Sequence, residues 1–167
     1  MKKLYLIRHA KSSWSDLSVS DFERKLNKRG KRDGPFMARK LAESGAQPEL
    51  ILASPAARAK KTAEFMAKAV GYDHKEISFH EAIYHASAED LLGILREIDD
   101  GFTRVFLVGH NYAITDLAEM LSGESLGNIP TTGIAALQCN VQRWTDAAPG
   151  CAALLMFDYP KKYKELQ

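Results

Sequence analysis

Two arginines and two histidines lie at or just beyond the ends of apolar segments of the chain. Arg8 and His9 end the first segment, Arg58 follows the second after a short interval, and His110 follows the third. The planar guanidinium of arginine binds two phosphate oxygens at once, and its fixed charge stabilises a transferring phosphoryl group. A neutral imidazole is a nucleophile, and a second imidazole can contact the transferring oxygens. These residue types favour phosphoryl transfer.

The apolar segments that carry these residues have the length and composition of buried strands. They cover residues 4–7, 50–53 and 105–108. Apolar residues at helical spacing follow over 36–42, 59–70 and 114–121, and a Ser-x-x-Asp capping box predicts another helix from residue 87. Two further strands, over 135–141 and 152–157, are joined by a turn-rich loop and are expected to pair antiparallel.

Strands that alternate with helices predict an α/β protein. We expect a three-layer α/β/α sandwich with a mainly parallel central sheet, formed by one domain over residues 1–167. In open α/β sheets, ligands bind beyond the carboxyl ends of the strands. The two arginines and two histidines should therefore converge at one edge of the sheet, with no carboxylate beside them at the three strand ends.

Composition and charge exclude several other classes of protein. No apolar run approaches the roughly 20 residues that span a bilayer, and the N-terminus has no signal-type segment, so we expect a cytoplasmic protein. Cys139 and Cys151 lie in no cluster of metal ligands, which argues against zinc and against a disulfide scaffold. The formal net charge of +2 is too small to indicate nucleic-acid binding. Residues 24–32 are nevertheless strongly basic; we interpret them as a solvated helix face, the alternative being a rim that attracts phosphorylated or acidic macromolecules.

Three motifs together carry a family resemblance. Residues 6–14 (LIRHAKSSW) resemble the Arg-His-Gly signature of the histidine phosphatase, or phosphoglycerate mutase-like, superfamily, in the variant of the SixA-type phosphohistidine phosphatases. Residues 54–63 (SPAARAKKTA) are similar to the second motif of that superfamily and residues 108–111 (VGHN) to the third, in the same order and at similar intervals. The resemblance covers nearly the whole chain and implies a phosphoglycerate mutase-like fold with no metal and no cofactor.

The resemblance also implies a role for each of the four residues. His9 would be the nucleophile that carries the phosphoryl group, and His110 the second catalytic imidazole. Arg8 and Arg58 would bind the phosphate. Ala10 stands where glycine is more common, which changes the backbone conformations open to the nucleophile turn.

Three more residues are candidates for the site. Ser15 occupies the place of an asparagine that contacts phosphate in many relatives, and Asn111 follows His110 in the third motif. Both are expected to bind substrate. Glu81 lies roughly where the general acid of the superfamily comes from, within residues 79–84, which match that motif poorly. It is the candidate catalytic acid.

The poor match to the general-acid motif and the short chain both indicate the class of substrate. An alkoxide leaving group needs a proton from an acid, whereas the imidazole released from phosphohistidine has a pKa of about 6.5 and depends on an acid far less. Little length is left for insertions over the pocket, so an open cleft that admits a residue of another protein is expected. The prediction is a phosphatase that hydrolyses phosphohistidine on a protein through phosphorylated His9.

Two alternatives stay open. One is a phosphatase of small phosphomonoesters or, with less support, a mutase. Vigorous activity on sugar phosphates that is lost in Glu81→Gln would favour the phosphomonoester phosphatase. The other is a module that binds a phosphorylated ligand without catalysis, although binding alone would need only the arginines and not His9 and His110. In none of these functions is nucleic acid or a membrane expected as a partner.

Overall fold

The computed structural model describes residues 1–166, and a six-stranded sheet forms its centre. The strands are β1 Lys2–Arg8, β2 Leu50–Ala53, β3 Ser78–Phe79, β4 Arg104–Gly109, β5 Ile134–Cys139 and β6 Ala152–Asp158. Their order across the sheet is β3-β2-β4-β1-β5-β6. The first four run parallel to one another, whereas β5 is antiparallel to both β1 and β6. The predicted mainly parallel sheet and the antiparallel final pair are confirmed.

Helices cover both faces of this sheet. They are α1 Lys28–Glu43, α2 Ala57–Val70, α3 Glu81–Tyr84, α4 Ala88–Arg96 and α5 Ala113–Ser122. Short 3-10 helices lie at Asp21–Glu23, His74–Glu76, Trp144–Asp146, Pro160–Lys162 and Lys164–Leu166. Tyr5 and Ile7 of β1 pack in one core with α1 and α2, while Leu4 and Leu6 pack in the other with α4 and α5. Because both faces are covered, β1 is apolar without alternation, and the predicted α/β/α sandwich is confirmed.

The beginning of α1 is tied to the loop that follows β1. Asn27 caps this helix by accepting a hydrogen bond from the backbone N–H of Gly30 at 2.9 Å, and its own N–H donates to the Lys11 carbonyl at 3.0 Å. A side chain at Gly30 would meet the Lys11 carbonyl oxygen at 2.1 Å, so only glycine allows this approach. These contacts hold the segment after β1 against the helix.

Two elements differ from the prediction. The helix expected over residues 36–42 begins at Lys28, because the cap and the polar first turns precede its apolar face. Residues 77–84, whose sequence pattern is ambiguous and predicts no definite element, form the two-residue β3 and the one-turn α3. The capping box before α4 is confirmed, since the side chains of Ser87 and Asp90 each accept a hydrogen bond from the backbone of the other.

No helix within residues 1–166 is long and apolar enough to cross a membrane. Cys139 and Cys151 are both free thiols.

Candidate active site

The carboxyl ends of β1, β4 and β2 lie side by side. In the sheet register Arg8 pairs with Gly109, and Ala53 pairs with Val108 of the same strand, β4. The backbone N–H of His9 donates to the Gly109 carbonyl at 3.1 Å. The sheet thus brings the first and third motifs into contact, and the centroids of the His9 and His110 rings lie 5.2 Å apart.

The His9 ring is held by its own turn. Its Nδ1 lies 2.8 Å from the Ala10 carbonyl oxygen. Because a carbonyl only accepts hydrogen bonds, Nδ1 carries the proton and Nε2 presents its lone pair. The Ala10 N–H donates to the Thr62 hydroxyl at 2.9 Å, and that hydroxyl donates to the Arg58 carbonyl at 2.7 Å. These bonds connect the turn to α2.

Alanine fits at position 10 because the turn needs no left-handed backbone there. Among residues 1–166, Thr132 is the one non-glycine residue with a positive φ, at 62°. Ala10 is fully buried, so its methyl group fills space against the core.

His110 is oriented by the second motif. Its Nε2 forms a hydrogen bond of 2.8 Å with the Ser54 hydroxyl, which also accepts the N–H of Ala56 at 3.2 Å. Tyr84 of α3 packs edge-on against the His110 ring, with centroids 5.4 Å apart. Nδ1 of His110 is buried and is left without a partner within the described residues.

The two arginines are anchored at their outer nitrogens. Nη1 of Arg8 donates to the Ile129 carbonyl at 3.0 Å. Nη1 of Arg58 donates to the backbone carbonyl of Asp21 at 2.6 Å, and Nη2 donates to its carboxylate at 3.0 Å. These bonds anchor each guanidinium, while the buried Nε–H of both arginines has no partner within residues 1–166 and remains available to a ligand.

The buried polar atoms that lack a partner cluster in this region. Within residues 1–166 they are Arg8 Nε, Arg58 Nε, His110 Nδ1 and Thr132 Oγ1. A buried polar group without a hydrogen bond costs about 1–3 kcal/mol, so such groups are concentrated where a ligand binds. Two guanidinium donors, an imidazole and a hydroxyl match an anion with several acceptor oxygens, such as phosphate.

Thr132 is a residue that sequence reasoning missed. Its backbone N–H donates to the carbonyls of both Arg8 and His9, at 3.2 and 3.1 Å, and its side chain is fully buried. A β-branched residue with positive φ is unusual in any turn, and no spacing in the sequence indicates it. Such strained positions are common at functional sites.

Asp21 is a second residue that was missed. Its Oδ2 accepts from Arg58 and, at 2.5 Å, from the Tyr84 hydroxyl, while Oδ1 accepts from Nε and Nη2 of Arg24 at 3.1 and 3.0 Å. Arg24 also donates to the Ser12 hydroxyl. Partial burial raises the pKa of the Asp21 carboxyl, but the hydrogen bonds from Tyr84, Arg58 and Arg24 outweigh this effect and hold that pKa well below its usual range. A carboxylate therefore stands beside the site, supplied by a loop and not by a strand end.

The interpretation of the basic stretch as a solvated helix face is wrong for Arg24. This residue precedes α1 and is only 8% exposed, with its guanidinium bound to Asp21. The signal that could have shown this is the Asp-x-x-Arg spacing of the two residues, because a 3-10 turn brings residues three apart together.

Comparison with known proteins decides the family. A family model described as the histidine phosphatase superfamily (branch 1) matches residues 4–100. The chain belongs to the histidine phosphatase superfamily. An uncharacterized chloroplastic protein of Arabidopsis thaliana is 34% identical over 87% of this chain and 70% of its own length.

Solved structures of the superfamily agree with this fold. A protein from Agrobacterium tumefaciens assigned as the phosphohistidine phosphatase SixA superposes with a TM-score of 0.80 and 30% identity, over 95% of this chain and 98% of its own. The protein histidine phosphatase SixA in complex with tungstate superposes with a TM-score of 0.81 over 96% of this chain and 98% of its own, at 19% identity, so this match concerns the fold alone. Superfamily membership and the SixA-like structure support phosphatase activity, and the phosphoglycerate mutase-like fold is confirmed.

Ser15 and Glu81, both assigned from the superfamily resemblance, are exposed. The Ser15 hydroxyl lies 2.7 Å from that of Ser13, in the loop after β1. Glu81 begins α3, one helical turn before Tyr84, and its carboxylate has no ion pair within residues 1–166. Within residues 1–166 neither side chain has a hydrogen bond or ion pair to Arg8, His9, Arg58 or His110, and their site roles stay predictions.

The side-chain amide of Asn111 forms hydrogen bonds within the protein. Its Nδ2 donates to the Asn128 side chain at 2.6 Å, and its Oδ1 accepts from the Thr115 hydroxyl at 2.6 Å and backbone at 3.2 Å. That hydroxyl in turn accepts the N–H of Ile129 at 3.0 Å. The Ile129 carbonyl accepts a hydrogen bond from Arg8, so Asn111 supports, through Thr115, the residue that anchors Arg8. The expected contact of Asn111 with substrate stays a prediction.

Both superfamily histidines are held in the neutral form. Burial is the main cause that lowers the pKa of His9 to about 3, with smaller contributions from His110 and the two arginines, while its hydrogen bond to Ala10 opposes the shift. Burial, and next the charge of Arg58, lower the pKa of His110 to about 4. Near neutral pH, Nε2 of His9 therefore keeps the lone pair that an attack on phosphorus requires.

This electrostatic arrangement predicts how the two rings titrate. Above these depressed pKa values the folded protein keeps both rings neutral, so NMR of ¹⁵N-labelled imidazoles should show neither ring taking up a proton between about pH 8 and about pH 5. Adding inorganic phosphate should move both midpoints upward, since a bound anion favours imidazolium. Half-protonation of His9 near pH 6.5 without phosphate would contradict the prediction.

Proposed function

We propose that this chain is a metal-independent phosphatase that hydrolyses phosphohistidine on a protein, through a phosphoryl group carried by His9. The observation that carries the proposal is that buried donors around His9 lack partners within residues 1–166, while the carboxylate beside them cannot supply a proton. Arg58, Arg24 and Tyr84 hold Asp21 ionised, so it is not an acid for a leaving alkoxide. A substrate whose leaving group needs no enzymic acid is favoured, and phosphohistidine is one.

The first step transfers the phosphoryl group to the enzyme. Nε2 of His9 attacks phosphorus and forms a P–N bond, while the P–N bond to the substrate imidazole breaks and its electron pair stays on that ring. When the other nitrogen of the substrate ring carries a proton, the ring leaves as neutral imidazole. The phosphoryl oxygens accept hydrogen bonds from the free Nε–H groups of Arg8 and Arg58.

His110 and Thr132 complete the hydrogen bonds to the phosphoryl group. The Ser54 hydroxyl accepts the Ala56 N–H and has one proton to donate, which goes to Nε2 of His110. Nδ1 of His110 then carries the ring proton and donates to a phosphoryl oxygen, as does the Thr132 hydroxyl. In the second step water attacks phosphorus and the P–N bond to His9 breaks, with its electron pair returning to Nε2. Both protons of that water leave with the product, H2PO4⁻.

The proposal includes one domain over residues 1–167, a cytoplasmic location, and a phosphorylated protein as partner without nucleic acid or a membrane. The free Cys139 and Cys151 thiols support a reducing compartment.

The substrate class is tested with a panel. Purified enzyme is given a protein phosphorylated on histidine, a phosphoserine peptide and several sugar phosphates, and kcat/KM is measured for each. The expected result is preference for phosphohistidine by at least about tenfold, since the Asp21 carboxyl beside the site is held ionised and cannot protonate a leaving alkoxide. Efficient turnover of small phosphomonoesters with the phosphohistidine protein left untouched would contradict the proposal.

A second candidate function, hydrolysis of small phosphomonoesters, depends on Glu81. In its favour, Glu81 lies on the one-turn helix whose Tyr84 packs against His110. Under the main proposal, Glu81→Gln should leave kcat/KM for phosphohistidine within about twofold. A loss of about a hundredfold or more in kcat/KM for small phosphomonoesters in that variant would identify Glu81 as the general acid of the second function.

A further inference from the structure

A surface groove lined by basic side chains runs beside the site. Two cavities, of about 620 Å³ and about 290 Å³, share Lys25, Ala57 and Lys60 in their walls and therefore form one continuous depression. We call this depression the cationic trough; its basic lining residues are Arg24, Lys25, Lys31, Lys60 and Lys61.

The trough reaches the active site through two connections. Arg24, in its wall, binds Asp21, which in turn holds Arg58. Pro55 and Ala57, also in its wall, flank the start of α2 between Ser54 and Arg58. A chain segment lying in the trough would therefore be close to the group that Arg58 binds.

The lysines of the trough are not neutralised within residues 1–166. Lys25 and Lys31 are exposed and have no ion pair there. Lys60 and Lys61 lie over the rings of Phe79 and Phe65, at 5.8 and 5.3 Å, and likewise lack a carboxylate partner. Three acidic residues, Asp16, Glu23 and Glu64, are interspersed with the five basic ones, so the field is positive but not uniform.

Apolar surface accompanies the charge. Val19 and Phe22 line the trough, and the Phe22 ring packs edge-on against Tyr84, which contacts His110. In the loop that borders the trough, the Trp14 side chain is 65% exposed and Leu17 is 92% exposed. Large apolar side chains grouped at a surface mark a site of protein contact.

We infer that the cationic trough docks an acidic, partly apolar segment of the protein that presents the phosphohistidine; this inference rests on the proposed function. Carboxylates of such a segment complement the four exposed lysines and steer the encounter, while its apolar residues cover Phe22 and Trp14. The interspersed acids favour a peptide over nucleic acid, because a peptide can place its charges selectively whereas a phosphate backbone is uniformly negative.

The test uses two phosphohistidine peptides of equal length and apolar content, one with Asp and Glu flanks and the other with Lys flanks, and phosphoramidate as the small substrate. Wild-type enzyme should prefer the acidic peptide, more so at low salt. The double variant Lys25→Glu/Lys60→Glu should lose about tenfold in kcat/KM on the acidic peptide, mainly through KM, because it turns two attractive charge contacts into repulsive ones. Its turnover of phosphoramidate should stay within about twofold of wild type.

A matched control changes the same charge elsewhere. Lys68 and Lys75 are exposed and line no part of the trough, so Lys68→Glu/Lys75→Glu should leave the preference intact. The docking inference is overturned if the two peptides react equally, if the trough variant loses phosphoramidate turnover in parallel, or if an oligonucleotide of equal charge competes better than the acidic peptide. If neither peptide reacts while small phosphomonoesters do, the proposed function fails, and the docking inference fails with it.

Discussion

His9→Ala should abolish turnover, with kcat/KM at least about 10⁴-fold below that of the wild-type enzyme, because the variant has no atom on which the phosphoryl group can be carried. Wild-type enzyme quenched during turnover of a ³²P-labelled phosphohistidine protein should contain acid-labile label on the chain, and the variant should contain none. The proposed phosphate-binding groups of Arg8, Arg58 and His110 all remain, so the variant should still bind inorganic phosphate.

A matched control separates loss of the nucleophile from loss of a buried ring. His9 is 8% exposed, so its removal also leaves a cavity. Thermal unfolding of the variant should show a folded protein, and His74→Ala, at an exposed histidine with no proposed role, should keep full activity and labelling. Turnover retained in folded His9→Ala would remove His9 as the nucleophile and, with it, the covalent mechanism.

Arg58→Lys should lower kcat/KM by about 10²- to 10³-fold, because it removes a preorganised donor while keeping a positive charge. The guanidinium uses Nη1 and Nη2 on Asp21, and its Nε, which has no partner within residues 1–166, is the donor that we propose for the phosphoryl group. A lysine ammonium is a single centre and cannot reach both partners in the same geometry. Steady-state kinetics on phosphoramidate, which avoids any docking contribution, should show the loss mainly in kcat.

Asp21→Asn serves as the graded comparison for Arg58→Lys. The backbone carbonyl of Asp21 still accepts from Nη1 in this variant, and the amide oxygen can accept from Nη2, so a smaller loss of about tenfold is expected. A rate for Arg58→Lys within tenfold of wild type would show that Arg58 acts as a general positive charge and not as an oriented donor. A larger loss for Asp21→Asn than for Arg58→Lys would show that the contacts of Asp21 with Arg24 and Tyr84 matter more than its contact with Arg58.

The fold followed from local patterns in the sequence. The runs over 4–7, 50–53 and 105–108 are continuously apolar because these strands are covered on both faces of the sheet, whereas the helices that follow them have apolar residues on one face only. Strand pairing then places the three runs next to one another. The short β3 and α3 were not predicted, because elements of two and four residues carry no periodicity and depend on their neighbours for stability.

For the site, the sequence by itself determined the residues that follow strands: Arg8, His9, Arg58 and His110 arise at strand ends and helix starts, where parallel topology must bring them together. Only the tertiary structure decided which groups orient them. Asp21 and Thr132 come from loops whose path depends on packing and not on any residue spacing, and the backbone of Thr132 adopts a conformation that its residue type disfavours. Burial, which exists only once the chain has folded, is also what keeps both imidazoles neutral.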